Sequence, residues 1–356
     1  MHHDVLIIGA GINGLLSALT LTQAGMRVAI LERGEPARES TWAGAGILSP
    51  LMPWDYGLDV NALSDRGRCL WPGVIDEVQR VGKRDPEFQR CGMLALAVPD
   101  RAGALDWCRA HNWQAEPSPP SASALGFAGD EAIWLPDVAQ VRNPRLAQAL
   151  MASCRAAGIP ILVDTPALGL TVANDRVTGV ETHAGPLQAD KVVIASGAWS
   201  QALLGDLTGE VKIEPVRGQI LLFRSVPGLL PFVVYGGGQY LVPRRDGLIL
   251  AGSTLEYAGF EKSATEAARD ALHRFALEVF PPLARAELVH QWAGLRPGSP
   301  GNVPTISAHP RIRNLYLNSG HFRYGVTMAP ASAELLRDLM LGHAPPLDST
   351  PYRWRA

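Results

Sequence analysis

Hydrophobic and polar positions divide the chain into blocks of different period. Asp4-Val5-Leu6-Ile7-Ile8 ends in an unbroken apolar run of the kind a buried parallel strand carries. Gly9-Ala10-Gly11-Ile12-Asn13-Gly14 comes next. Leu15 to Ala24 then reads as a helix closed by Gly25, and Arg27 to Leu31 as a second strand with Glu32 at its carboxyl end. Residues 61–115 read as helical and mixed in polarity, around a strand-like Met93 to Val98, and Pro117 to Ser123 reads as a loop. Asn143 is the predicted N-cap of a helix with Pro144 at its first position, an apolar face of Leu146, Ala149, Leu150 and Cys154, and an end at Gly158. Ile161–Val163, Gly169–Val172 and Val177–Thr182 are predicted to form a small β-meander. It leads into a buried strand, Lys191 to Ala195, that ends in Ser196 and Gly197.

From Val211 the strands lengthen: Ile213–Phe223, Tyr240–Val242, Leu248–Ser253 and Glu287–Leu295, with a helix over Ala264–Val279 among them. Leu315–Ser319 is strand-like again, and Ala331–Leu341 has helical spacing. A strand, glycine loop and helix, then an inserted sheet, then a returning strand and helix predict an α/β chain (α+β overall). Its nucleotide domain is of Rossmann type, assembled from separated pieces, with a second, mixed-sheet domain inserted. The nucleotide domain is expected over 1–78, 140–210 and 300–356, and the inserted domain over 79–139 and 211–299. A chain of 356 residues agrees with about two domains.

Composition narrows the function classes. A formal net charge of −2 argues against a nucleic-acid footprint, which needs clustered Lys and Arg. No apolar run approaches the ~20 residues that span a bilayer, and no membrane partner is expected. A cleavable signal is not expected either, because Val5 to Ile8 breaks directly into glycines. The four cysteines (Cys69, Cys91, Cys108, Cys154) form no CxxC and no regular spacing, so no metal site and no disulfide framework are expected. Free thiols fit a reducing compartment, the cytoplasm by default.

The glycine loop carries the first specific chemistry. Alone, GxGxxG is a weak signal; here it lies between a strand and a helix, with Glu32 near the usual distance beyond it. Gly9 permits the tight turn, Gly11 lets backbone approach a pyrophosphate, and Gly14 lets helix and strand pack closely. The helix N-terminus offers N–H groups to phosphates, and Glu32 can accept from ribose hydroxyls while repelling a 2′-phosphate. These residues predict an adenine dinucleotide and leave FAD and NAD both open. Small residues and hydroxyls in Ser40-Thr41-Trp42-Ala43-Gly44-Ala45-Gly46-Ile47-Leu48 suit a chain running under a pyrophosphate and against a flat ring.

Five segments extend the pattern: VLIIGAGINGLLSALTL with LER, STWAGAGILSPLMPW, VVIASGAWS, WAGLRPGSPGNVPTIS and GHFRYGVTMAPASAELLRDLM. With them the chain resembles the D-amino-acid oxidase family of flavoproteins from residue 5 to about 340, and within it the glycine oxidases of thiamine biosynthesis. WAGLRPG followed by GHFRYG is far more specific than the glycine motif. The resemblance implies a D-amino-acid oxidase-like fold, a Rossmann-type FAD-binding domain with the inserted mixed-sheet domain taking the substrate, and non-covalent FAD. By it, Ile12, Asn13, Glu32 and Arg33 hold adenosine and pyrophosphate. Thr41, Trp42, Gly46, Ile47 and Leu48 line phosphates and flavin, and Ala167 meets adenine through its backbone. Gly197 also belongs with the cofactor residues. His321, Phe322, Arg323, Tyr324, Gly325, Val326 and Thr327 wrap the flavin's pyrimidine edge. Arg296 pairs with a substrate carboxylate, with Tyr240 helping and Arg323 nearby.

The residue types agree with that chemistry. A guanidinium matches two carboxylate oxygens with a fork that lysine lacks. Arg296 ends an apolar strand, although an arginine before a turn also occurs at ordinary surfaces, and Tyr240 could equally fill a core. Arg323 could be an ion-pair residue. His321 invites a base assignment, but its backbone placement beside the flavin is the stronger one. No base is required if the α-hydrogen passes as hydride from Cα to flavin N5, the protein's part being to orient and tune. The implied reaction is oxidative deamination of glycine, also of sarcosine or small D-amino acids, to imine or 2-oxo acid, ammonia and H2O2, with O2 as acceptor, in thiamine thiazole biosynthesis.

Rival readings are an amino-acid dehydrogenase passing electrons to a quinone or other acceptor, a D-amino-acid oxidase of broader specificity, an NAD-dependent dehydrogenase, and a flavin subunit inactive without a partner chain. A homo-oligomer is compatible with all these motifs. Covalent flavin attachment through a C-terminal cysteine is not expected, since every cysteine precedes residue 155. Met52, Trp54 and Tyr56 could narrow a substrate pocket or serve as packing.

Overall fold

The computed structural model describes residues 3–354 apart from 118–121, 123–124 and 128–130. The expected Pro117–Ser123 loop therefore lies largely outside the described residues. The chain opens as β1 (His3–Ile8), α1 (Ile12–Gln23) and β2 (Val28–Leu31), followed by the short α2 (Ser40–Ala43), β3 (Ile47–Leu48) and the long α3 (Leu58–Gly82). Next come β4 (Gln89–Arg90), β5 (Met93–Ala95), α4 (Arg101–Ala110), β6 (Ile133–Leu135), β7 (Ala139–Gln140) and α5 (Asn143–Ala156). Strands β8 (Ile161–Leu162), β9 (Gly169–Ala173), β10 (Arg176–Glu181) and β11 (Leu187–Ile194) precede α6 (Ser200–Leu204). After it stand β12 (Glu214–Arg224), β13 (Val233–Gly236), β14 (Gln239–Pro243), β15 (Leu248–Gly252), α7 (Glu266–Val279) and β16 (Glu287–Gly298). The chain returns through β17 (Thr305–Ala308), β18 (Leu315–Ser319) and α8 (Gly325–Leu341).

The first sheet runs β17-β18-β11-β1-β2-β8. Its centre is parallel: β1 pairs with β2 and β11, and β11 with β18. Val5 to Ile7 of β1 are fully buried, as their unbroken apolar run requires when both faces are covered: Val5 and Ile7 face the helices, and Leu6 faces the cluster with Val177 and Val180 of β10. Helices α1, α3, α5 and α8 pack together against this sheet, and Gly67 of α3 permits the close approach to α8. A Cβ there would fall 2.1 Å from the Thr327 carbonyl oxygen.

The second sheet runs β16-β12-β15-β14-β13-β5-β6, antiparallel except for β13 beside β5. The amphipathic α7 packs against β12 and β15. Segments from before and after the parallel sheet's middle section thus meet in one sheet.

Three expectations change. Ile161–Leu162 is no part of the meander; it pairs in parallel with β2 at the sheet edge, and the meander consists of β9, β10 and the start of β11, paired antiparallel. Asn143 does not cap α5, whose N-cap is Arg142; its side-chain amide donates instead to the Thr41 carbonyl oxygen at 2.7 Å. Finally α8 begins six residues earlier than its apolar spacing indicates and carries Pro330 inside. Proline supplies no N–H to the Val326 carbonyl, and the Trp71 indole takes that acceptor at 3.1 Å, so the helix passes the proline with its carbonyl satisfied.

Candidate active site

The carboxyl ends of β1, β2 and β11, the segment between β2 and β3, and the start of α8 enclose a cleft of about 450 Å³ that reaches across to the second sheet. It lies where ligands bind open α/β sheets, outside the carboxyl ends of the strands. Its near end is formed by Glu32, Arg33, Ala167 and Trp199, and its middle by Gly9, Gly11, Ile12, Asn13, Thr41 and Gly197. Gly46, Ile47, the run from His321 to Val326, Tyr240 and Arg296 line the cleft as well.

Glycine geometry shapes the floor. Gly9 has φ +108°, and a Cβ there would lie 2.6 Å from the Ala195 carbonyl oxygen. Gly46, at φ +76°, would meet the Val141 carbonyl oxygen at 2.1 Å. At both positions a Cβ would run into neighbouring backbone, so only glycine fits and bare backbone lines the cleft there. The Glu32 carboxylate accepts from the amides of Ala10 at 2.8 Å and Gly34 at 3.2 Å, so it is held rigidly at the tip of β2. Thr41 Oγ1 accepts from the Ile12 amide at 2.9 Å. Two donors near the start of α1 are thus already used, and the amides of Gly11 and Asn13 have no acceptor among the described residues. Arg33 lies over the Trp199 ring at 3.6 Å and pairs with Glu39 at 2.9 Å.

The loop from Thr41 to Ile47 is pinned from two sides. Asn143 holds the Thr41 carbonyl, while Arg244, buried on the second sheet, donates to the Ala45 carbonyl at 2.7 Å and to Gln140 Oε1 at 2.6 Å. Burial, reinforced by the like charge of Arg142, pulls the Arg244 guanidinium down to about 10. Sequence reasoning did not find Arg244, which sits at a hairpin turn and points inward only in the folded sheet.

Four of the predicted residues, Gly14, Trp42, Leu48 and Thr327, do not line the cleft. Trp42 turns to the other side of its helix, edge-on to Trp292 with centroids 5.6 Å apart. Leu48 is buried in the core. Thr327 is turned into α8's packing, its hydroxyl donating to the Ile47 carbonyl at 3.2 Å. Gly14 is likewise off the wall and does what its spacing predicts, letting α1 sit on β1: a Cβ there would overlap the Gly9 carbonyl oxygen at 1.9 Å.

Arg296, Tyr240 and Arg323 come together. Arg296 donates to Ser253 Oγ at 2.5 Å and to the Thr254 carbonyl at 3.1 Å. Burial lowers its pKa, opposed by the Tyr240 hydroxyl oxygen beside it and reinforced by the like charge of Arg323. Among the described residues, no carboxylate is within ion-pair distance of either arginine. The cleft therefore holds two cations with no built-in counter-ion, an arrangement that attracts an anion. Gly218 and Gly294, a facing pair on β12 and β16, also line the cleft and were not singled out as site residues; isolated glycines inside strand patterns were the available signal.

His321 is buried, with Nδ1 3.4 Å from the Asn13 side-chain Nδ2 and Nε2 2.9 Å from Ser332 Oγ. Burial pushes its pKa down to about 3, so it is neutral at physiological pH and poorly suited to act as a base. With the folded value below the unfolded one, the native state binds fewer protons, and stability falls as pH drops from about 6.5 towards 3. The urea midpoint is expected to fall less between pH 7 and pH 4 in His321→Gln than in the unsubstituted protein. Equal falls would remove His321 as a source of the acid sensitivity.

The cleft suits FAD by its own geometry. Gly9, Gly11 and Gly46 line it with bare backbone, the unsatisfied amides lie near the start of α1, and Asn13 Oδ1 is buried without a partner on the cleft wall. Residues 4–339 match the family described as FAD dependent oxidoreductase. A glycine oxidase of Pseudomonas aeruginosa is 42% identical over 99% of this chain and 98% of its own length. A bifunctional ThiO/ThiG protein of Trichormus variabilis is 31% identical over 96% of this chain and 53% of its own length. The crystal structure of glycine oxidase from Geobacillus kaustophilus superposes with a TM-score of 0.92 at 25% identity, covering 99% of this chain and 98% of the other. The chain belongs to the FAD-dependent oxidoreductases of the DAO family.

Proposed function

We propose that the chain is a FAD-dependent oxidase of glycine, acting also on sarcosine or small D-amino acids, with O2 as acceptor and imine or 2-oxo acid, ammonia and H2O2 as products. The observation that carries this reading is the pair of guanidinium groups, Arg296 and Arg323, that have no carboxylate partner among the described residues and lie beside Tyr240 in the cleft that suits FAD. The glycine oxidases among the relatives support the choice of substrate. The ThiO name carried by other relatives supports a place in thiamine biosynthesis.

Each residue has a task in this reading. Glu32, Arg33 and Ala167 hold the adenosine end; Gly9, Gly11, Ile12, Asn13 and Gly197 admit the pyrophosphate; Gly46, Ile47 and His321 to Val326 hold the ring system. Bound FAD supplies two-electron redox chemistry, taking electrons from the amine and passing them to oxygen. Arg296 binds the substrate carboxylate through its fork, with Tyr240 as a further donor, and so fixes where Cα lies. The first turn of α8 reaches the cleft at Gly325 and Val326, where its positive dipole end favours negative charge. No side chain is asked to remove a proton from carbon: burial makes His321 a weak base, and both its ring nitrogens are engaged. The proposed domain division, 1–78, 140–210 and 300–356 against 79–139 and 211–299, is supported by β5 and β6 joining β12 to β16 in one sheet.

The test is anaerobic mixing of the yellow protein with glycine, followed by air. Loss of the flavin band near ~450 nm, then its recovery with formation of peroxide, is the expected result. Bleaching without recovery in air would point to a dehydrogenase with another acceptor, and no bleaching with any small amino acid would remove the substrate assignment.

A further inference from the structure

The carboxylate-binding task of Arg296 rests on the functional reading above; what gives the guanidinium its pose is a separate question. We propose that Gly218 and Glu256 are positioning residues that hold the Arg296 guanidinium flat and unpaired, with its fork directed to a carboxylate.

The register of β12 against β16 places Val216 opposite Arg296 and Gly218 opposite Gly294. A Cβ on Gly218 would lie 2.2 Å from Arg296 Nη1, 2.3 Å from Nη2 and 2.4 Å from Cζ. The guanidinium therefore rests on the bare backbone of Gly218, in space any side chain would occupy. Because those atoms end a flexible side chain, a methyl at 218 would displace the guanidinium rather than break the sheet.

The opposite constraint comes from the segment after β15. Arg296 donates through Nη1 to the Thr254 carbonyl and through Nη2 to Ser253 Oγ. Of the remaining N–H groups at least one faces the Tyr240 hydroxyl, and the others are left for a ligand. The segment is tied to β12 through Glu256: its backbone exchanges hydrogen bonds with Arg217 at 2.8 and 2.9 Å. Its carboxylate accepts from Thr254 Oγ1 at 2.5 Å, Gln219 Nε2 at 2.9 Å, and Arg217 Nε at 3.0 Å. Arg217 Nη2 also pairs with Glu256 at 2.5 Å. Glu256 thus fixes Thr254 while its own charge is neutralised by Arg217, so the carboxylate nearest in sequence to the Arg296 contacts does not compete for Arg296. Charge-assisted bonds reward this order, because a fork matches a carboxylate only when its plane is set beforehand.

The experiment titrates the holoenzyme with glycolate, a carboxylate without the amine, following flavin absorbance, and measures kcat and KM for glycine alongside FAD content. Gly218→Ala is expected to keep FAD and to raise the glycolate Kd and the glycine KM about tenfold or more, with a smaller change in kcat. Glu256→Gln should shift both in the same direction by about threefold, since the ion pair that orders the segment is lost. In an Arg296→Lys background, which has no planar group for the methyl to displace, Gly218→Ala should add little further loss. Unchanged glycolate Kd in Gly218→Ala, or an equal extra loss in the lysine background, overturns the proposal while the functional reading stands. If Gly218→Ala loses FAD, Glu256→Gln decides: an unchanged Kd overturns the proposal. A wild-type holoenzyme that neither binds glycolate nor is reduced by glycine overturns the functional reading, and this proposal with it.

Discussion

Arg296→Ala should lower kcat/KM for glycine by about 30-fold to several thousandfold, most of it in KM, while FAD remains bound. Truncating one member of a charge-assisted pair costs about 2–5 kcal/mol, which sets that range. Flavin retention is expected because the contacts of Arg296 run to Ser253 and Thr254, just after β15 of the second sheet, whereas Gly9 and Gly14 lie at the turn after β1 of the first. Arg296→Lys should recover part of the loss, by keeping the charge without the fork. Steady-state kinetics with a flavin-to-protein absorbance ratio checks both points. A colourless Arg296→Ala protein would mean that the residue supports the cofactor instead of the carboxylate.

Gly14→Ala should give a protein without bound FAD and less stable by about 3 kcal/mol or more. The added Cβ would lie 1.9 Å from the Gly9 carbonyl oxygen and 3.1 Å from its carbon, both backbone atoms with no rotamer to give way. Relief requires α1 to lift from β1 or Gly9 to leave its φ of +108°, and either change destroys the turn between strand and helix. Flavin absorbance after purification and a urea unfolding curve are the measurements. Purification with wild-type flavin content would show that the turn tolerates the shift and that its close packing is not what admits the dinucleotide.

These two positions differ in how they were legible. Gly14 belongs to a local pattern in which the strand before it and the helix after it specify a known turn, and the folded chain places it there. Arg296 was legible only with its flanking motif, since an arginine at a strand end is equally at home on a surface. Trp42 and Leu48 show the opposite limit. They stand in the same small-residue segment as Thr41, Gly46 and Ile47, yet the folded segment turns Trp42 towards Trp292 and buries Leu48 in the core. Spacing along an irregular segment does not state which side of it faces a ligand. The early start of α8 was hidden for another reason: Pro330 breaks the helical pattern, and only a residue from another helix, Trp71, compensates the carbonyl it leaves unpaired.

By itself the sequence determined the features set by short-range periodicity and by glycine: a parallel β-α-β start, the acidic residue at the tip of β2, a second block of longer strands, and a nucleotide domain returning at the end of the chain. Tertiary structure alone decided the features that depend on partners distant in sequence. It set Arg296 flat on Gly218, tied Thr254 to Glu256 and Arg217, brought Arg244 beneath the loop at Ala45, and made His321 neutral by burying it. The physical reason is that backbone conformation is fixed within a few residues, whereas the register between strands, the face a side chain takes and the dielectric around a charge are fixed only when remote segments pack.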